Sequence, residues 1–269
     1  SYTHAVFRGW YDFGAGALAI FLGGEARPGQ ETIWFYPGEH QGVPINELRL
    51  SFRPERPILQ RVAAIGRAAG ERWQGLVQIG MTDLGGTLDV LSTFRPGEQL
   101  LTDLYDAPAE VKRLTWEIHE AWFRAYDFLD GVLCPPNPGR SSWPGLFSEC
   151  RSYMLQCDFA YMIGPDMFDE FVKPELARAC KRLNGRAFYH LDGVGQLPHL
   201  DSLLSIPALD GVQWIPGAGQ RPVEEWPEVY RKIRDAGKLI QVFGSPRTLD
   251  ALARQLGSVE NVVIMMGGS

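Results

Sequence analysis

The second half of the chain alternates between short apolar runs and amphipathic stretches, a pattern typical of strands and helices that follow one another in an α/β protein. The predicted strands are 153–159, 187–191, 211–215, 238–243 and 262–266, and the predicted helices are 166–183, 197–204, 224–236 and 246–256. Polar residues and glycines follow several of these strands. This order is typical of a (β/α) barrel, which places its active site at the C-terminal ends of its strands.

The first half of the chain has a weaker pattern, because many aromatic residues are interrupted by glycine and proline. Its predicted elements are a short helix near 16–22, strands at 32–36 and 76–81, and helices at 54–70, 88–94 and 109–130. The segment CPPNPGRSSWPG at 134–145 is too rich in proline and glycine for regular structure, and we interpret it as a long loop at the barrel rim.

We therefore predict an α/β protein with a (β/α)8 TIM-type barrel, formed as one domain by residues 1–269 with an irregular N-terminal part at 1–60. Six or seven of the eight strands are recognisable, and the missing ones are expected near the N-terminus. The chain begins without methionine and ends directly after the strand at 262–266. We expect a barrel that is incomplete at its N-terminus and truncated after its last strand.

Composition narrows the class of protein. A net charge of −6 provides no basic surface for nucleic acid, and neither a signal peptide nor an apolar run of bilayer length is recognisable. The four cysteines lack CxxC spacing, so we interpret them as reduced thiols. These features predict a cytoplasmic protein that acts on a small molecule, without nucleic acid or membrane as a partner.

The strongest candidate site is the pair His190 and Asp192 at the end of the strand 187–191. Side chains two residues apart on a strand share one face, so the pair can act as an acid and a base or bind a metal. The alternative is that His190 fills the core and Asp192 caps the turn that follows.

Further candidates end other strands, and each has a structural alternative. Cys157 can supply a thiolate to a metal or act as a nucleophile, or it can be a small buried apolar residue. Asp83, in TDLGG, can orient a substrate or accept hydrogen bonds in a glycine turn. Gln213, Trp214 and Gln241 can bind a planar ligand, although Trp214 can equally pack between strand and helix.

The sequence YHLDGVGQLPHLDSLLSIPALDGVQWIPGAG resembles a bacterial branch of the uroporphyrinogen decarboxylase superfamily. TDLGGTLDVLSTFR, LLTDLYDAPAEVKRL and RSYMLQCDFAYMIGPDMFDEFVKPEL support this resemblance, which covers most of residues 70–266. It implies a barrel fold and one of two activities. These are the decarboxylation of a tetrapyrrole and the zinc-dependent transfer of methyl groups between corrinoid proteins and acceptors such as thiols.

The two activities require different residues. The methyltransferases have three zinc ligands, an HxC pair at the end of a strand and a second cysteine near the C-terminus. Here His190 matches the histidine, but Asp192 stands in place of the first cysteine. Gly267 and Gly268 occupy the region of the second cysteine. The decarboxylase needs no metal or cofactor, but its arginine-bearing N-terminal segment and its late-strand histidine are not recognisable in this sequence.

The resemblance therefore favours a corrinoid-linked methyltransferase-type enzyme. His190, Asp192 and Asp83 are its predicted catalytic residues, and His190, Asp192 and Cys157 its predicted zinc ligands. Trp143, Gln213, Trp214 and Gln241 are predicted to shape the substrate pocket. A corrinoid carried by a partner protein is the expected methyl carrier, and a homodimer is compatible with the superfamily. The alternatives are a tetrapyrrole carboxy-lyase and a non-catalytic barrel that binds a ligand or partner.

Overall fold

The computed structural model describes residues 2–4, 8–9, 13–30 and 32–266. Its strands, in chain order, are β1 (Tyr2–His4), β2 (Arg8–Gly9), β3 (Glu25–Pro28), β4 (Ile33–Tyr36), β5 (Gln78–Ile79), β6 (Arg140–Ser141), β7 (Leu146–Ser148), β8 (Tyr153–Gln156), β9 (Ala187–Asp192), β10 (Gly211–Ile215), β11 (Leu239–Gly244) and β12 (Val262–Met266). Its α-helices, in chain order, are α1 (Leu18–Phe21), α2 (Pro57–Trp73), α3 (Thr87–Phe94), α4 (Gln99–Asp106), α5 (Pro108–Leu133), α6 (Pro165–Met167), α7 (Lys173–Arg182), α8 (Leu200–Leu204), α9 (Pro227–Asp235) and α10 (Pro246–Leu256). Within these ranges, we find no helix with both the length and the apolar character needed to span a bilayer.

The chain divides into two compact units, one formed by residues 5–144 and the other by residues 1–4 and 145–269. In the unit 5–144, α2, α3 and α4 each pack against the long helix α5. The buried residues of α5 include Leu114, Ile118, Trp122 and Tyr126, spaced four apart. This spacing places them on one face of the helix, so the predicted amphipathic helix at 109–130 is confirmed.

The strands of the unit 5–144 are short and were hard to predict. β2 pairs in parallel with β5, which has only two residues where the sequence predicts a strand over 76–81. β3 and β4 form an antiparallel hairpin in which the predicted strand 32–36 is confirmed as β4. The sequence did not predict β3, because all four of its residues are exposed and it therefore has no apolar alternation.

The other unit is built on a five-stranded parallel sheet in the order β12-β11-β10-β9-β8. The predicted strands 211–215 and 262–266 and the predicted helix 246–256 have the observed bounds. The predicted strand 153–159 ends earlier, at Gln156, because the chain turns into a 3₁₀ helix at Asp158–Met162. The α/β class is confirmed; the described residues contain no closed eight-stranded sheet.

One face of this sheet is apolar and, on its strands β10 and β11, fully buried. Val212 and Trp214 of β10 and Ile240 and Val242 of β11 lie on it. The ring of Trp214 packs edge-on against Trp226, the residue before α9, with 5.1 Å between ring centroids. This face therefore packs against helices, which leaves the opposite face of the sheet for polar residues.

Candidate metal centre

A row of polar side chains crosses the other face of the sheet. Gln156 of β8, His190 of β9, Gln213 of β10 and Gln241 of β11 are paired in register across the four strands. Residues in register on parallel strands project from the same face, and we call these four residues the polar row. The three glutamines are buried, so the row is not a solvated surface.

Two carboxylates lie beyond the polar row, toward the C-terminal ends of the strands. Asp192 follows His190 by two residues on β9, and Asp158 follows Gln156 by two residues in the 3₁₀ helix after β8. One potential ligand atom from each of Asp158, His190 and Asp192 lies within 4.8 Å of the others. The His190 side chain is 12% exposed and that of Asp192 43% exposed, so the cluster opens toward solvent on its carboxylate side.

Gln213 fixes the orientation of His190. The Nδ1–H of His190 donates a hydrogen bond to the Gln213 side-chain oxygen Oε1. The other ring nitrogen, Nε2, then lies 3.6 Å from Oδ2 of Asp192. A partner on one imidazole nitrogen that sets the tautomer of the other is the usual arrangement around a metal-binding histidine.

The carboxylates change the protonation of the cluster. Burial alone lowers the pKa of His190, but the contact with Asp192, the charge of Asp158 and the hydrogen bond to Gln213 together raise it above the ordinary 6.5. Asp158 is exposed, yet the atoms packed around its carboxylate exclude water on the protein side and raise its pKa. His190 opposes that shift and Asp192 adds to it. The cluster therefore attracts a positive charge, either a proton or a cation.

An aromatic ring next to Asp158 contacts the turn that follows Asp192. Tyr161, in the 3₁₀ helix with Asp158, lies against Gly193 and Gly195 in the turn after Asp192. A Cβ atom at Gly195 would lie 2.6 Å from Cε2 and Cζ of this ring, and one at Gly193 would lie 2.9 Å from Cε2. Gly193 also has a positive φ of 82°, whereas Gly195 does not. The glycine at 195 is therefore explained by the ring and not by its own backbone conformation.

The three residues fit a divalent metal ion. Two ligands bound to one zinc at about 2.0–2.1 Å with tetrahedral angles lie about 3.4 Å apart. The separation of 3.6 Å between His190 Nε2 and Asp192 Oδ2 is close to this value, and Asp158 completes a three-ligand set within 4.8 Å. One imidazole and two carboxylates are a harder donor set than thiolates, and zinc binds both imidazole nitrogen and carboxylate oxygen.

The structure brings His190 and Asp192 together as predicted, and it places a different third residue beside them. Cys157 is buried and is not part of the cluster that the described residues form; Asp158 takes that place. Cys157 directly follows Gln156, the last residue of β8, whereas Asp158 follows Gln156 by two residues, the same spacing that separates His190 from Asp192. The pairing of Gln156 with His190 is the signal that would have selected Asp158, and it depends on strand register, which the sequence did not show.

The other predicted site residues are divided between different parts of the molecule. Gln213 and Gln241 lie in the polar row, whereas Trp214 lies on the helix-covered face, which supports its packing alternative. Asp83 and Trp143 belong to the unit 5–144. Asp83 is buried and its Oδ1 accepts a hydrogen bond of 2.8 Å from the Gly85 amide, as its turn alternative predicts.

The comparisons with known proteins yield a fold and no family. No protein-family model matches the chain, and no curated protein is similar to it in sequence. Among solved structures, it is similar to a methyltransferase from Methanosarcina mazei with a TM-score of 0.61 and 14% identity. The match covers 97% of this chain and 74% of the other. At this identity the likeness shows a shared fold.

Proposed function

We propose that this chain is a methyltransferase-type enzyme of the corrinoid-linked kind, in which His190, Asp192 and Asp158 hold a divalent metal ion, zinc in the simplest case. The observation that carries the proposal is the convergence of three ligand atoms within 4.8 Å, with Nδ1 of His190 already bonded to Gln213. Nε2 is thereby left to face the carboxylates as a metal ligand.

Two further points support this function. The chain shares its fold with a protein named as a methyltransferase over 97% of its length, and we propose that its five-stranded sheet is part of a closed (β/α)8 barrel. The candidate ligands also lie at the C-terminal ends of β8 and β9, where barrel enzymes place their reacting groups.

Each residue has a defined task in this proposal. Asp158 and Asp192 supply negative charge that balances a divalent cation, and Gln213 holds the His190 ring so that Nε2 points at the same position. A bound zinc ion supplies Lewis acidity, which lowers the pKa of a thiol acceptor so that it reacts as a thiolate. Tyr161 holds the turns after β8 and β9 together and so preserves the spacing of the two carboxylates.

Metal analysis is the first test of this proposal. We expect about one zinc per chain after dialysis against zinc and removal of free metal. Asp158→Asn and Asp192→Asn should each lose most of it. Asp201→Asn is the matched control, because Asp201 is an exposed carboxylate paired with Lys232 at 2.7 Å and should have no effect on zinc content. Absence of zinc in the wild type, or equal zinc in all variants, would contradict the proposed metal site.

Activity then separates the candidate functions. Transfer of the methyl group from methylcobalamin to a thiol, detected from the change in the corrinoid absorption spectrum, supports the methyltransferase. Consumption of uroporphyrinogen by the metal-free protein would instead identify a tetrapyrrole carboxy-lyase. Failure of both reactions with zinc bound would favour a non-catalytic binding protein.

The affinity for zinc should depend on pH in a direction that follows from the raised pKa of His190. A zinc-binding imidazole must lose its proton, so the proton and the metal compete for Nε2. Because the pKa lies above 6.5, we expect the affinity to be already reduced at pH 6.5 and to fall about tenfold per unit below that. In the metal-free protein the free energy of unfolding depends on pH in the opposite direction. Protonated His190 stabilises the fold below pH 6.5, and this stabilisation is lost as the pH rises through the pKa of His190 in the folded state. Calorimetric titration between pH 5.5 and 8.5 measures the first effect. A flat profile would exclude His190 as a ligand.

A further inference from the structure

The three glutamines of the polar row carry side-chain atoms that are buried and lack a hydrogen-bond partner within the described parts of the chain. These atoms are Oε1 and Nε2 of Gln241, Nε2 of Gln213 and Oε1 of Gln156. Gln213 and Gln241 are 0% exposed and Gln156 is 4% exposed. Buried polar atoms in proteins nearly always have a partner, so a row of exceptions calls for a specific explanation.

Packing does not explain these residues. At neighbouring positions on the same strands, the helix-covered face uses Val212 and Ile240, which fill buried space without any polar atom. A valine or leucine at position 241 would fit a strand interior equally well and would avoid the cost of desolvating an amide. The glutamines therefore favour a partner that binds to the row.

The geometry of the row indicates where such a partner would lie. Adjacent strands are about 4.8 Å apart, so the unpartnered atoms of Gln213 and Gln241 project side by side from β10 and β11. Gln213 is also the residue that bonds to His190. A group bound to these amides would therefore be held beside the candidate metal centre.

We propose that Gln156, Gln213 and Gln241 bind a neutral group of the substrate that both donates and accepts hydrogen bonds, and that this group is a carboxamide or a closely similar amide. The unpartnered atoms offer two amide nitrogens as donors and two amide oxygens as acceptors, which complement a carboxamide. A carboxylate fits poorly, because it cannot donate to the glutamine oxygens and the row contains no lysine or arginine. In addition, the carboxylates of Asp158 and Asp192 follow the row by two residues and would repel it. This inference rests on the proposed function only in placing the bound group beside the metal centre of which His190 is a ligand.

Binding of two neutral probes of the same shape tests the proposal. Benzamide has the amide donors, whereas acetophenone has only the carbonyl acceptor. We expect the protein to bind benzamide at least about tenfold more tightly than acetophenone, because a site with buried polar atoms rejects an analogue that leaves them unpaired. Ligand-observed NMR titration measures both affinities. Equal affinities, or binding of neither probe, would overturn the proposal.

Substitution of Gln241 provides a second readout, which does not depend on the probe. Gln241→Met has a similar length and removes the unpartnered amide, so we expect it to abolish the preference for benzamide and to raise the midpoint of thermal unfolding by about 2–4 °C. Gln196→Met is the matched control: Gln196 is also buried, its Oε1 accepts a hydrogen bond of 3.0 Å from the Tyr189 hydroxyl, and it is not among the described residues with unpartnered atoms. This variant should keep the preference and unfold at a lower temperature. A lower midpoint for Gln241→Met would show that its amide is satisfied within the protein and would overturn the proposal.

The two proposals fail in different ways. Gln241 is not among the three residues of the metal cluster, so Gln241→Met should keep the zinc content of the wild type. If the wild type does not bind zinc, the proposed function is contradicted, and a preference for benzamide would remain as a separate observation. Normal zinc content without that preference would contradict only the assignment of the glutamines.

Discussion

Replacing His190 by alanine is expected to lower the affinity for zinc by at least about a hundredfold and to abolish turnover, while the protein remains folded. His190 provides the only imidazole of the cluster, and its Nε2 lies 3.6 Å from Asp192. Two carboxylates alone retain zinc weakly. Calorimetric titration with zinc and thermal unfolding of the same samples measure the two quantities.

A second histidine of the same unit serves as the control for His190→Ala. His199 is buried, bonds through Nε2 to the Ala160 carbonyl at 2.9 Å and stacks on Phe168 with 4.6 Å between centroids. It therefore has a structural environment, and His199→Gln should bind zinc normally even if it unfolds at a lower temperature. Wild-type zinc affinity in His190→Ala would remove the basis for the metal site. Unfolding of that variant at room temperature would instead give His190 a structural role.

Replacing Trp214 by alanine is expected to lower the free energy of unfolding by about 3–5 kcal/mol. The Trp214 ring is fully buried on the helix-covered face and packs edge-on against Trp226. Its removal leaves a cavity between β10 and the start of α9 that neighbouring side chains fill only in part. Urea unfolding followed by circular dichroism measures this loss.

Two comparisons show whether this effect arises from packing. Trp34→Ala removes a tryptophan that is 61% exposed and should change the free energy of unfolding by less than about 0.5 kcal/mol. Trp214→Phe retains a large ring and should lose less stability than Trp214→Ala. Both Trp214 variants should bind benzamide as the wild type does, because the ring is on the opposite face from Gln213. A loss of probe binding in a folded Trp214→Phe would place Trp214 in the substrate pocket after all.

The sequence predicted the five-stranded sheet of the unit 1–4 and 145–269 well, because apolar residues recur with clearly different spacing in its strands and in its helices. The strands 211–215 and 262–266 were predicted to the residue, and so was the helix 246–256, which begins with Pro246 and ends before Gly257. The elements of the unit 5–144 were harder, since β3 is exposed throughout and β5 has only two residues. Neither has enough periodic positions to stand out from a loop.

Only part of the candidate site could be predicted from the sequence. His190 and Asp192 share a face by their spacing alone, and the structure confirms this. Asp158 and the alignment of Gln156 with His190 depend on how β8 and β9 pair, which no local pattern encodes. The same lack of register information explains why the sequence suggested Cys157 as a ligand and Trp214 for the pocket, whereas Cys157 lies outside the three-residue cluster and Trp214 lies on the helix-covered face.

The contact of Tyr161 with Gly193 and Gly195 has a consequence for how this chain can diverge. A methyl group at position 195 would overlap the tyrosine ring, so a larger residue at position 195 requires the ring of Tyr161 to move or to be replaced. We therefore expect homologous chains with alanine or serine at position 195 to have a smaller side chain at position 161. Positions 161 and 195 should therefore change together among homologous chains, although 34 residues separate them along the sequence.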